Sequence, residues 1–197
     1  MRKKQLMENL LPEIEINLKK LELPKKKSVW LEIGFGGGEH LAAQAAANPG
    51  LHFIGCEPFV NGVASLLDHI DRQQLKNIRV FPDDARHLLD ALPDRSVEKC
   101  FVLFADPWPK KRHARRRFIG PDTLPRLARV MGRGGELRLA TDDMQLAAWM
   151  KDSLAASPDF DLTREAHVPP ADWVQTRYEC KALQAGRKPV YLTYRRH

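Results

Sequence analysis

Apolar residues recur along this chain in two alternating rhythms. Runs such as Val29-Trp-Leu-Glu-Ile33 and Phe101-Val-Leu-Phe-Ala105 are nearly continuous, whereas the stretches between them place apolar residues three and four apart. Continuous runs of this length suit strands covered on both faces, and three-four spacing suits helices with one covered side. The pattern predicts strands at 29–33, 51–56, 78–81, 97–105 and 135–140, with helical stretches between them such as 38–47, 59–72, 85–91 and 122–131. Such alternation specifies the α/β class, a mostly parallel sheet with helices on both faces. After about Ala155 the rhythm changes. A strand at 160–165, a polar, proline-containing loop at 167–188 and a last strand at 190–195 predict an antiparallel hairpin at the sheet edge.

The first 27 residues follow the helical rhythm alone. Leu6, Leu10, Ile14, Leu18 and Leu21 fall at spacings of three and four and predict one amphipathic helix ending near Pro24. Eight Lys/Arg and four Glu accompany them, and Lys25, Lys26 and Lys27 link the segment to the core. Two roles are open: a surface helix packed on the domain, or a basic arm that helps hold RNA. Glu8, Pro12, Glu13 and Glu15 interrupt any apolar run, so the segment does not read as a signal peptide. With no stretch of about 18 uninterrupted apolar residues, the expectation is a cytoplasmic protein.

Composition narrows the class without fixing it. The 197 residues suit one domain, with 28–197 as its body and 1–27 as an appended helical arm. A net charge of +7, from 32 Lys+Arg against 25 Asp+Glu, attracts polyanions and makes nucleic acid a candidate partner. Cys56, Cys100 and Cys180 lie far apart with no CxxC pair, so neither a disulfide framework nor a metal site is expected.

Chemistry first appears where strand 29–33 runs into Glu32-Ile-Gly34-Phe-Gly36-Gly37-Gly38. Glycines let the chain turn tightly and let a nucleotide-like ligand approach the backbone. Glu57 ends the second strand, 25 residues after Glu32, where an acidic side chain in such folds accepts from both ribose hydroxyls. Asp84 follows the third strand, in place to accept from an adenine amino group. Glu32 discriminates between nucleotides: a carboxylate before the glycines repels a pyrophosphate and suits a cationic amino-acid group. S-adenosylmethionine has that group, and a nicotinamide dinucleotide lacks it.

The fourth strand delivers Asp106-Pro107-Trp108-Pro109-Lys110, an acid in a loop restrained by two prolines beside a flat aromatic face. Lys110 to Arg117 then place six Lys/Arg in eight residues, a run suited to phosphate. Thr141-Asp142-Asp143 closes the fifth strand, and Thr176-Arg177-Tyr178-Glu179 sits in the late loop; either can be helix-cap or loop chemistry. No histidine is assigned a catalytic role, and His113 by itself reads as a surface residue.

From about residue 28 onward the chain resembles the bacterial tRNA (guanine-N7)-methyltransferase family. The resemblance rests on E-I-G-F-G-G-G, G-C-E-P at 55–58, D-A at 84–85, the D-P-W-P-K…R-H…R-R-R block at 106–117, A-T-D at 140–142 and T-R-Y-E at 176–179. It implies a Rossmann-like class I methyltransferase fold, a seven-stranded sheet with an antiparallel last strand. It also implies S-adenosyl-L-methionine as cofactor and tRNA as partner, with guanine 46 of the variable loop as target and no obligatory protein partner. Glu32, Gly34, Gly36, Glu57, Asp84 and Asp106 are implied around the cofactor. Lys110, Asp142, Thr176, Arg177, Tyr178 and Glu179 are implied toward the guanine, and Arg112, His113, Ala114, Arg115, Arg116 and Arg117 toward RNA. The segment before Ser28 is short beside the family's pattern.

Guanine N7 carries an in-plane lone pair, so its methylation requires alignment and electrostatics rather than a general base. Asp106 is the expected central carboxylate, either stabilising charge that develops on the base or accepting from its N1 and N2 donors. Asp142 and Glu179 are the other candidates for that bond. Three rivals stand beside this reading: an RNA amino-group methyltransferase, a non-catalytic nucleotide-sensing RNA-binding protein, and a nicotinamide dehydrogenase disfavoured by Glu32.

Overall fold

The computed structural model describes residues 2–24 and 28–197, the side chain of Lys111 excepted. The expected lysine linker at 25–27 lies outside the described residues. Seven strands form one sheet in the order β3-β2-β1-β4-β5-β7-β6, with helices on both sides. The chain divides into two compact units, one ending at Pro93 and one beginning at Asp94.

In the first unit, β1 (Val29–Ile33), β2 (His52–Cys56) and β3 (Ile78–Phe81) are parallel. Ile33 pairs with Cys56 and Cys56 with Phe81, so the three strands end level. The N-terminal segment departs from the expected single helix. Helix α1 (Arg2–Asn9) stops, and α2 (Leu11–Ile14) starts afresh with Pro12 in its first turn. A proline there lacks the amide that would continue α1, and its ring crowds the carbonyl four residues back. Past α2, Ile16 donates its amide to Val80 O at 2.8 Å, which covers the free side of β3. Leu6, Met7, Leu10 and Ile14 pack against a core that includes Leu66, Leu67, Ile70 and Val80. Arg2 pairs with Asp68 at 3.0 Å and Asp71 at 2.9 Å on α4 (Val60–Gln73). The apolar side of the segment is therefore occupied by packing.

Helices α3 (Glu39–Ala47) and α5 (Ala85–Ala91) complete this unit and begin where the periodicity places them. Apolar positions of α4 at Val63, Leu66, Leu67 and Ile70 are all buried. Gly62 lets this helix come close to the turn after β1: a Cβ there would lie 2.4 Å from Gly36 O and 3.0 Å from Glu57 Cγ.

In the second unit, β4 (Val97–Leu103) runs parallel to β5 (Met131–Thr141), which pairs antiparallel with β7 (Val190–Arg196); β7 pairs antiparallel with β6 (Phe160–Ala166). Strand β4 ends two residues earlier than expected because Phe104 turns the chain at φ +51°. Strand β5 starts four residues before the expected 135. Helix α6 spans Leu124–Val130, and α7 (Met144–Ala155) occupies a stretch the periodicity did not single out. The late segment is not a bare hairpin. Helix α8 (Arg177–Gln184) forms within the expected loop, and β7 lies inside the sheet with β6 outermost. No helix of the described residues is long and apolar enough to cross a membrane.

Candidate active site

The turn after β1 is built by backbone conformations that favour glycine: Gly34, Gly36 and Gly38 have φ of +71°, +55° and +80°. Glu57, 5% exposed, clamps this turn from the end of β2. Its Oε2 accepts the Gly36 amide at 2.9 Å and its Oε1 the Phe59 amide at 3.0 Å. Both carboxylate oxygens thus face the turn from the strand end. Glu32 is 3% exposed and 2.6 Å from His40 Nδ1 through Oε2. Asp84 caps α5, accepting the Arg86 amide at 2.9 Å, and its carboxylate also takes the Arg86 guanidinium at 3.1 and 3.2 Å. Glu32, Gly34, Gly36, Glu57 and Asp84 thus share one end of three parallel strands, the end at which open α/β sheets bind ligands. The Asp84 carboxylate stands half-exposed there, with Arg86 across its oxygens.

In the second unit, the Asp106-Pro-Trp-Pro loop follows the Phe104 turn, and Trp108 is itself at φ +43°. Arg117 holds this loop: Nε donates to Pro107 O at 3.1 Å and one terminal nitrogen to Trp108 O at 3.2 Å. The Arg117 guanidinium also lies 4.9 Å from the centre of the Trp149 ring, and that of Arg116 lies 4.6 Å from the Trp108 ring. His113 meets Trp108 edge-on at 5.8 Å. The basic run therefore divides. Arg112 and Arg115 extend into solvent, while Arg117 is spent largely on the fold. Ala114 is half-buried in the 3-10 turn between them, and Lys110 is exposed at its start.

A groove of about 520 Å³ opens beside this loop, lined in part by Asp106, Thr141, Asp142, Tyr178, Lys181 and Arg187. Its size lies in the range of small-ligand sites. Asp106 is exposed and makes no ion pair among the described residues. Asp142 pairs with Arg187 at 2.8 Å. Lys181 and Arg187 went unnoticed in the sequence; the only signal was basic residues close after Tyr178 in a segment read as loop.

The T-R-Y-E motif is also divided. Thr176 and Glu179 form a reciprocal capping box that starts α8. Glu179 is 2% exposed and additionally accepts Trp173 Nε1 at 2.7 Å and the Tyr191 hydroxyl. Burial, that hydrogen bond and the Glu179 charge together raise the Tyr191 pKa well above the usual 10.0. Arg177 and Tyr178 are exposed, and of the four only Tyr178 lines the groove.

A family model described as "Putative methyltransferase" matches residues 26–192. A tRNA (guanine-N(7)-)-methyltransferase of Paramagnetospirillum magneticum is 57% identical over 86% of this chain and 73% of its own. A tRNA (guanine-N(7)-)-methyltransferase of Caulobacter vibrioides is 46% identical over 99% of this chain and 89% of its own. Among solved structures, the 16S rRNA methyltransferase KamB superposes with a TM-score of 0.66 at 15% identity, covering 87% of this chain and 89% of that one. TrmN from Thermus thermophilus gives 0.66 at 17% identity, covering 99% of this chain and 48% of that one. At such identities these structures speak for the fold alone.

Proposed function

The chain belongs to the tRNA (guanine-N(7)-)-methyltransferase family, and from that membership we propose that it transfers a methyl group from S-adenosyl-L-methionine to N7 of guanine 46 in the variable loop of tRNA. The chemistry is assigned to residues 28–197, with the N-terminal segment in support. The reaction is placed in the cytoplasm and needs no second protein.

The first unit suits the cofactor by its donor set. Glu57 presents its carboxylate at the strand end where ribose hydroxyls bind, Gly34 and Gly36 keep the turn open to a close ligand, and Asp84 offers a half-exposed carboxylate to the adenine amino group. Glu32 supplies the negative charge that an ammonium requires. When bound, S-adenosylmethionine supplies a methyl group already activated on a sulfonium sulfur, so the N7 lone pair needs no base to free it.

The residues of the second unit then hold and polarise the base. Asp106 carries the reading: an exposed carboxylate, unpaired among the described residues, on a loop braced by Arg117 and facing a groove roomy enough for a base. Methylation at N7 leaves positive charge on the guanine, and a fixed carboxylate stabilises that charge as it forms. Tyr178 offers a face to the base, and Asp142 is a second acceptor positioned by Arg187. Thr176 and Glu179 act from beneath, by fixing the start of α8 and with it Tyr178 and the neighbouring Arg177. Lys110, Arg112, His113, Ala114, Arg115 and Arg116 form the surface offered to tRNA backbone, with Arg117 behind them.

Transfer of labelled methyl from S-adenosylmethionine to unmodified tRNA tests this. Asp106→Ala is expected to lower turnover by about 10²–10³-fold, and replacing guanine 46 to abolish labelling. Label on an exocyclic nitrogen would turn the assignment to an amino-group methyltransferase. Tight cofactor and tRNA binding without transfer would turn it to a binding protein.

A further inference from the structure

His40 lies two residues past the last glycine of the turn, in the first turn of α3, and is 2% exposed. Its Nδ1 stands 2.6 Å from Glu32 Oε2. Its Nε2 stands 3.4 Å from Nε2 of Gln44, one helical turn further along the same helix. A carboxylate oxygen accepts, so the 2.6 Å bond is donated from Nδ1 to Glu32. Both side chains are almost fully buried. The other Glu32 oxygen, Oε1, has no partner among the described residues.

We propose that His40 is a positioning residue for the cofactor's amino-acid portion: by engaging Glu32 Oε2 through Nδ1, it fixes the carboxylate with Oε1 free to take the ligand's ammonium group. This rests on the reading of the first unit as the S-adenosylmethionine site. The physical reason for such a partner is the cost of the alternatives. A buried carboxylate with no donor rotates to find one or takes up a proton, and either removes the charge an ammonium needs. A directed Nδ1–H donor from a buried ring meets that need with one bond, and Gln44 stands against the ring's other nitrogen.

The test compares two ligands that differ only in the part His40 serves. S-adenosylhomocysteine carries the amino-acid chain, and 5′-methylthioadenosine lacks it while keeping the adenine, ribose and sulfur. Calorimetric titration of the full chain with each is expected to show His40→Leu binding S-adenosylhomocysteine about 10- to 100-fold more weakly, with the affinity for methylthioadenosine changed by less than about twofold. His40→Asn retains an amide donor near the Nδ1 position and is expected to recover most of the loss. Equal weakening of both ligands in the two variants, or unchanged binding of S-adenosylhomocysteine in His40→Leu, would overturn the proposal. A wild-type chain that binds neither ligand would overturn the cofactor reading beneath it, an outcome separate from the other two.

Discussion

Arg117 reaches back to the carbonyl of Pro107, 3.1 Å from its Nε, across ten residues of chain. With its second bond to Trp108 O and its stacking on Trp149, this side chain closes the loop carrying Asp106 into a braced ring. Arg117→Lys keeps the charge but loses the planar fork that makes both bonds. Methyl-transfer turnover is expected to fall about 10- to 100-fold, as a displaced catalytic group does, with tRNA affinity nearly unchanged. Steady-state kinetics beside a filter-binding titration separate the effects. Retained turnover with weaker tRNA binding would make Arg117 a phosphate contact.

Exposure assigns the salt-sensitive contacts to other residues. Arg112→Ala and Arg115→Ala are each expected to reduce the slope of log affinity against log salt concentration for tRNA by about one. Arg116, whose guanidinium is drawn over Trp108, is expected to give a smaller change. Identical slopes in all three variants would mean that the basic run is a solvated face.

Gly62 sets two effects against each other. Alanine is the better helix former by about 1 kcal/mol, but its Cβ would lie 2.4 Å from Gly36 O, a backbone atom that must then move. Overpacking of this kind costs about 1–3 kcal/mol, so Gly62→Ala is expected to lower stability and weaken cofactor binding together. Chemical denaturation and ligand titration of one preparation check both; a gain in stability would mean that the glycine turn yields freely.

Tyr191 gives the fold an alkaline limit. Its folded pKa is raised above the usual 10.0 by burial and by Glu179, so the protonated form is favoured by folding. The sign follows from linkage: the associated stability is complete below about pH 10 and is lost as pH rises beyond it. Tyr191→Phe is expected to cost about 1.5–3 kcal/mol at pH 7, the range for a bond to a charged acceptor, and to flatten the decline above pH 10. Urea midpoints measured at intervals from pH 7 to 11 test it, and parallel profiles for the two proteins would contradict it.

Much of the framework was legible from sequence, for a physical reason. Strands covered on both faces are nearly continuous apolar runs, and 29–33 and 78–81 were read to the residue. Errors arose where a local feature overrode periodicity. Phe104 and Ala105 prolong the apolar run of β4, but Phe104 turns the chain. Pro12 divides a helix that its leucine spacing would continue. The start of α8 is marked by Thr176 and Glu179, whose three-residue separation is a capping signature, but the polar residues around them favour a loop reading. In the candidate site, Asp106, Asp142 and Tyr178 carried motif information and line one groove. His40, Lys181 and Arg187 did not, because a single histidine or base acquires meaning only from what the folded chain sets beside it.

The position of β7 governs how the second unit can assemble. This strand is flanked by β5 and β6, yet it follows both in the chain, about fifty residues after the end of β5. Until it arrives, β6 lacks its described ladder partner and one side of β5 is bare. Closing such distant pairings demands loop entropy before any ladder bond repays it. In the finished unit one strand seals two edges at once, and a chain in which it is not yet placed offers both edges to a neighbour.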